Sequence, residues 1–347
     1  MKSLKEIALP ITEEEYRNDG KLHYSTLATY ERGGFSSLKT LFERKESPSL
    51  LFGSIVDALI TGGRQEFESH YMVAEYPDCP DSIINIIKIL FNKFNMTYSH
   101  LNDIPDDVII PLTVEYKYQL NWKDTTRVKV IKEKGANYYR LLYLAKDKTI
   151  ISTELYNQAI NTVNALRTSP ATRDLFIDNP FDNNIERLYQ LKFSGEFNGV
   201  EYSIMADEIF VNHKAKWILP IDLKTSSKPE YNFFKSFIEW SYDIQARLYW
   251  QVINQNIAKD PYFSEFELLN YHFVVANKDT LTPLVWQYED TKNIGTVTYG
   301  KNKDIICRHP FVIGLELSKY LNENPSVPNG INLDKPNNIV EWINREM

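Results

Sequence analysis

Residues 217–227 read WILPIDLKTSS, an apolar run interrupted by an acid and a base one residue apart before it breaks into Thr-Ser-Ser. Side chains alternate along a strand. Trp217, Leu219, Ile221 and Leu223 therefore share one face, and Asp222 and Lys224 leave from the other. The expectation is that the first face is buried and the second carries charge. An acid and an ammonium on one face at a strand's end form either a plain surface ion pair or part of a metal-dependent site. For a lone Asp-x-Lys the surface pair is the commoner outcome.

The neighbouring sequence adds to the charged face. IERLYQLKFSGEF (185–197), VEYSIMADEIFV (200–211) and AKWILPIDLKT (215–225) read as consecutive strands, with turns at Asn198-Gly199 and Asn212–Ala215. A helix, FIEWSYDIQARLYWQVINQN (237–256), and a further strand, ELLNYHFVVAN (267–277), follow. This order predicts an α/β (α+β) fold with a mixed central sheet flanked by helices and helical additions at both ends. With the hairpin turning at Asn212–Ala215, Val211 faces Lys216 and Asp207 faces Pro220. Asp207 and Asp222 are then diagonal neighbours, ~7–8 Å apart. Two carboxylates at that spacing can share Mg²⁺ or Mn²⁺, which take hard oxygen ligands. Lys224 beside them would orient or deprotonate a water, or hold charge on a phosphate. A register shift of one residue would dismantle the arrangement.

Two helices supply further candidates. Gln245 and Tyr249 are four apart and share one helical face, offering an amide and a ring to a nucleotide, while Ile244 and Leu248 face the core. A polar stripe facing water has the same spacing. Upstream, Gly53 and Asp57 in LFGSIVDALI are also four apart, and an acid among Ile, Val, Ala and Leu is costly to bury unless paired or metal-bound. A helix's wet edge accounts for Asp57 equally well. Glu186, Arg32, Arg44 and Arg247 are weaker candidates, the arginines as phosphate contacts.

Composition bounds the rest. The chain has 347 residues, 43% apolar and 24% charged, with 22 Tyr and 18 Phe, which suits an ordinary globular protein with a large core. The net charge of −7 weighs against a basic nucleic-acid coat protein but not against a nucleic-acid enzyme whose acids hold metal. Cys79 and Cys307 form no CxxC pair, which excludes the usual zinc and iron–sulfur patterns. No run reaches the ~20 apolar residues of a membrane span, and the opening stretch has no secretory leader; a cytoplasmic location is expected. The organisation expected is one domain over 1–347. Within it fall N-terminal helices over 22–62, a peripheral insertion over 76–125, a core over 150–276 and an accessory segment over 300–347.

Gly53 to Asp57, Asp207, Asp222-Leu223-Lys224-Thr225 and Gln245 to Tyr249, in that order, resemble the motifs of the PD-(D/E)XK nuclease superfamily. The similarity is to its RecE-like and phage exonuclease branch, related to lambda exonuclease and the RecB nuclease domain, and it covers roughly residues 22–255. Asp57 stands where relatives often carry a metal-binding His. The resemblance implies that Asp57, Asp207, Asp222 and the Leu223 carbonyl hold Mg²⁺ or Mn²⁺, that Lys224 positions water, and that Gln245 and Tyr249 steady the strand being cut. It further implies a 5′–3′ exonuclease on double-stranded DNA in phage or prophage recombination, a ring-shaped homo-oligomer and a single-strand annealing partner. A structure-specific or restriction-type endonuclease, and a non-catalytic DNA-binding protein, are the alternatives on the same fold.

Overall fold

The computed structural model describes residues 1–43, 47–177 and 183–323. In place of the single domain expected, the chain divides into two compact units: Met1–Gly53 with Asn161–Met347, and Ser54–Ile160. The helices α1 (Glu13–Arg17) and α2 (Tyr24–Gly33) belong to the first, and α3 (Pro48–Thr61) passes from the first into the second. The second unit is larger than the 76–125 insertion expected and has a core of its own. Ile83, Ile86, Ile87 and Leu90 recur at helical spacing along α4 (Asp81–Phe94) and pack with Val128, Ile131 and Tyr139 of α5 (Asp124–Ala145). The helix α6 (Thr153–Thr168), which passes from the second unit back into the first, starts at Ser152, whose Oγ accepts the Leu155 N–H at 3.2 Å, the cap the sequence predicts.

The first unit is built on a mixed sheet. Among the described residues it has strands β1 (Ile185–Phe197), β2 (Val200–Asn212), β3 (Trp217–Ser226), β4 (Glu267–Leu268), β5 (His272–Asn277) and β6 (Leu284–Gln287). The order is β1-β2-β3-β5-β6, with β4 also on β3. β3 runs parallel to β4 and β5, and the other pairs are antiparallel. Asn198 (φ 55°) and Gly199 (φ 75°) close the first hairpin in the left-handed region, as a two-residue type I′ turn requires.

The second hairpin differs from expectation by two residues. Asn212 pairs with Trp217 and Glu208 with Ile221, so the loop is residues 213–216. The Asn212 side chain accepts the Ala215 N–H at 2.8 Å and Lys216 takes φ 54°, which builds the turn inside the loop. A two-residue slip keeps every side chain on its face but brings Asp207 abreast of Asp222 rather than diagonal to it. The β1–β2 ladder also skips the pair Gln190 and Asp207, where Gln190 has φ 53°. Core positions on β2 change phase across this break, from Tyr202, Ile204 and Ala206 to Ile209 and Val211, while the register on either side stays the same.

Both faces of β3 are covered, so the charged face is buried as well as the apolar one. The face bearing Asp222 and Lys224 also carries Ile218, Phe273 and Val275 and belongs to the main core. On the other face Ile221 is fully buried while Trp217, Leu219 and Leu223 are half-buried. The cause lies above the sheet. Past α7 (Phe233–Glu239) the chain enters α8 (Tyr242–Lys259), which packs on β1 and β2 and contributes Ile244, Leu248, Val252 and Ile253 to the same core. The C-terminal helix α9 (Pro310–Glu323) is no accessory either: Ile313, Leu317 and Tyr320 join that core, and a Cβ on Gly314 would collide with the Tyr202 ring. Residues 324–347 lie outside the described residues.

Candidate active site

Asp222 is fully buried. Its Oδ1 accepts a hydrogen bond from the Gln245 amide, and its Oδ2 lies 2.7 Å from the Lys224 ammonium. That Oδ2 contact is an ion pair without hydrogen-bond alignment, because Oδ2 has no directed donor. Asp207, half-buried, reaches from β2 to accept the Leu223 N–H at 3.2 Å. The structure therefore brings Asp207, Asp222, Leu223, Lys224 and Gln245 together at the end of β3, on the side covered by α8.

Lys224 is caught between opposing effects. Burial works against its ammonium, but the carboxylate of Asp222, then Tyr242 and Asp207, outweigh it and hold its pKa above the ordinary lysine range. Its Nζ lies 4.5 Å from the Tyr242 ring centroid, a cation–π contact. A lysine held protonated can orient water or balance phosphate charge.

Tyr249 is buried rather than presented to a ligand. It hydrogen-bonds Tyr16, and its ring meets that of Tyr271 edge-on at 6.0 Å. Burial, followed by the charges of Tyr16, Asp207 and Asp222, keeps its hydroxyl far above the usual tyrosine range. Tyr16, Tyr24, Tyr242 and Tyr271 complete an aromatic surround that the sequence reading missed. Only Tyr242 had a local signal, standing three residues before Gln245 on one helix. The others arrive from the N-terminal segment and from the start of β5, which no spacing rule connects.

The remaining candidates separate. A Cβ on Gly53 would lie 3.1 Å from the Thr225 hydroxyl at the end of β3, so glycine admits the close approach of α3. Asp57 is half-buried one turn further along α3, in the second unit. Glu186 lies at the far end of the hairpin, opposite Val211, and binds Ser3, the Leu4 N–H and His213; it anchors the N-terminus. Arg247 is fully buried and donates to Asp243 and to the carbonyls of Gly295, Cys307 and Arg308, so it cannot meet a phosphate. Arg32 is exposed but donates to the Trp240 carbonyl at 2.7 Å. Arg44 lies outside the described residues.

Among the described residues no group of three or more His, Cys, Asp or Glu side chains is placed to hold a metal ion. The oxygens that fit a hard cation are the two carboxylates and the Leu223 carbonyl. Asp222 Oδ2 is one of the buried acceptors without a directed donor among the described residues, and Gln245 Oε1 beside it is another. One or two carboxylates with water completing the shell is the usual Mg²⁺ pattern, so the donor chemistry fits. No helix among the described residues is long and apolar enough to cross a membrane.

No family model matches the chain, and no curated protein matches it. Among solved structures, it is similar to a candidate exonuclease from Eubacterium rectale, at 14% identity over 98% of this chain and 88% of that one, with a TM-score of 0.40. A likeness so remote carries no argument, and the residues at the end of β3 must supply it.

Proposed function

We propose that the chain is a metal-dependent nuclease of the PD-(D/E)XK kind. Within that class, its motif order favours a 5′–3′ exonuclease on double-stranded DNA, working in phage or prophage recombination with a single-strand annealing partner and as a ring-shaped homo-oligomer. The observation that carries the reading is the convergence of Asp207, Asp222 and Lys224 at one strand end, with Gln245 fixing Asp222. A surface ion pair would not be fully buried, nor tied to a helix amide.

Asp207, Asp222 and the Leu223 carbonyl would hold Mg²⁺ or Mn²⁺, which when bound polarises phosphate and acidifies water. Lys224 keeps its proton and orients water or balances a non-bridging phosphate oxygen. Gln245 fixes the Asp222 rotamer through Oδ1 and leaves Oδ2 pointing toward Lys224. Tyr249 acts at one remove, bracing the wall through Tyr16. Asp57 as a further ligand belongs to the proposal: Asp57→Ala should lose most cleavage if it binds metal and keep it otherwise.

The test is degradation of linear and closed circular duplex DNA with Mg²⁺. Linear DNA should be consumed and circles spared, and Lys224→Ala should cut the rate by about 10²–10³-fold, the loss typical of one charge-stabilising group. Cleaved circles would make it an endonuclease. A wild-type protein as inert as Lys224→Ala would end the nuclease reading.

A further inference from the structure

We infer that a cavity beside the acidic pair is a pocket for one nucleobase of the bound strand, selective for bases bearing an amino group. The identity of the strand rests on the nuclease reading above. The cavity has a volume of about 250 Å³ and is walled by Phe233, Phe234, Phe237, Phe273, Trp286 and Tyr299.

Its place relative to the acids follows from strand register. Asp222 on β3 pairs with Phe273 on β5, and Phe273 pairs with Trp286 on β6. Registered partners share a face, so a carboxylate, a phenyl ring and an indole form one row across three strands. Two strand spacings separate its ends, roughly 10 Å. That is the reach of about three base steps at ~3.4 Å each. Tyr242 closes the gap: its ring stacks on Phe233 and on Phe273, each with centroids 5.8 Å apart, while the Lys224 ammonium lies over the same ring. A phosphate at Lys224 and a flat group in the pocket would thus lie on two sides of one aromatic wall.

The chemistry of the lining selects the occupant. Phe234 is 45% exposed, a large ring left open at the mouth, and aromatic faces of this kind take bases by stacking whatever their sequence. The charged part of the lining is acidic, Glu289 and Asp290, with the Gln287 amide beside them; the Tyr299 hydroxyl is turned to Tyr288 and, at 3.4 Å, to Asp290, which leaves Glu289 as the open acceptor. Carboxylates repel a phosphate and accept from N–H groups, so the pocket excludes the backbone and favours the amino edges of guanine, adenine or cytosine. Thymine presents a single ring N–H and a methyl group instead.

Titration calorimetry in EDTA, without DNA cleavage, tests this with guanosine, thymidine and tetramethylammonium as probes. Guanosine should bind more tightly than thymidine, and both Phe234→Ala, at an exposed ring, and Glu289→Gln, at an exposed acid, should weaken it more than tenfold. Equal binding of the two nucleosides, no nucleoside binding, or binding of tetramethylammonium alone would overturn the inference, the last in favour of an aromatic cage for cations. Because the measurement needs neither metal nor turnover, an active nuclease that binds no nucleoside defeats this inference alone. A protein that binds guanosine but cuts nothing defeats the nuclease reading alone.

Discussion

Asp222→Ala should destabilise the sheet unit by about 3 kcal/mol in metal-free buffer, and the sign is a real question. Two acids abreast repel, so a metal site without its metal often gains stability when one acid is removed. Here the ammonium decides. At the observed 2.7 Å, the Lys224–Asp222 attraction is about 6 kcal/mol at an effective dielectric of ~20. The acids, about 5 Å apart as opposed strand neighbours, repel by about 3 kcal/mol on the same scale. The difference favours keeping Asp222 by about 3 kcal/mol, at the low end of the ~3–5 kcal/mol lost when a buried pair is broken. The low end is apt because the Lys224 side chain keeps 19% of its exposure and can turn toward water. For a unit of this size the loss corresponds to a melting shift of roughly 6–12 °C. Urea unfolding in EDTA, followed through Trp217, Trp250 and Trp286 of the sheet unit, measures it. Adding Lys224→Met should restore most of the loss through a coupling of about 2–3 kcal/mol. A single variant as stable as the parent, or more so, would show that acid repulsion dominates and that the ion-pair argument is wrong.

Mg²⁺ at a hundredfold excess over its Kd should raise unfolding stability by about 2.7 kcal/mol, and Asp222→Asn should abolish that gain; equal stabilisation of both would place the metal elsewhere. His309 is buried, and that burial, followed by the Arg247 charge, lowers its pKa to about 4. The unfolded chain then binds the extra proton first, so stability should be full above about pH 6.5 and fall by roughly 3 kcal/mol as pH drops toward 4. His309→Gln should flatten that part of the curve in a pH series of urea midpoints, and an unchanged slope would count against it. Gly314→Ala should cost about 1–3 kcal/mol by overpacking against Tyr202, recovered in part by Tyr202→Leu; thermal melts of both would reveal it.

The elements of the sheet unit were readable because they obey local rules. The Asn198-Gly199 turn, the alternating strands and the helix after β3 each carry their signal within a few residues. Asp222 and Lys224 are two apart, so a strand forces them onto one face whatever surrounds it. Gln245 and Tyr249 are likewise tied by the helical repeat. The register of the second hairpin was not readable, because the Asn212 side chain and a left-handed Lys216 moved the loop by one residue and the cross-strand register by two. Arg247 shows the other limit: a basic residue on a polar-looking helix is also a suitable partner for a buried acid, and only the position of Asp243 and three carbonyls separates the roles.

Sequence alone determined which side chains travel together, since periods of two and 3.6 are properties of the backbone. Tertiary structure decided which of those faces is buried. α8 lies over the charged face of β3, so Asp222 lost its water and gained Gln245, while Tyr16 and Tyr271 closed in from segments far apart in the chain. Burial depends on what packs above a strand, and that is settled by the long-range fit of helix to sheet, which no local spacing encodes.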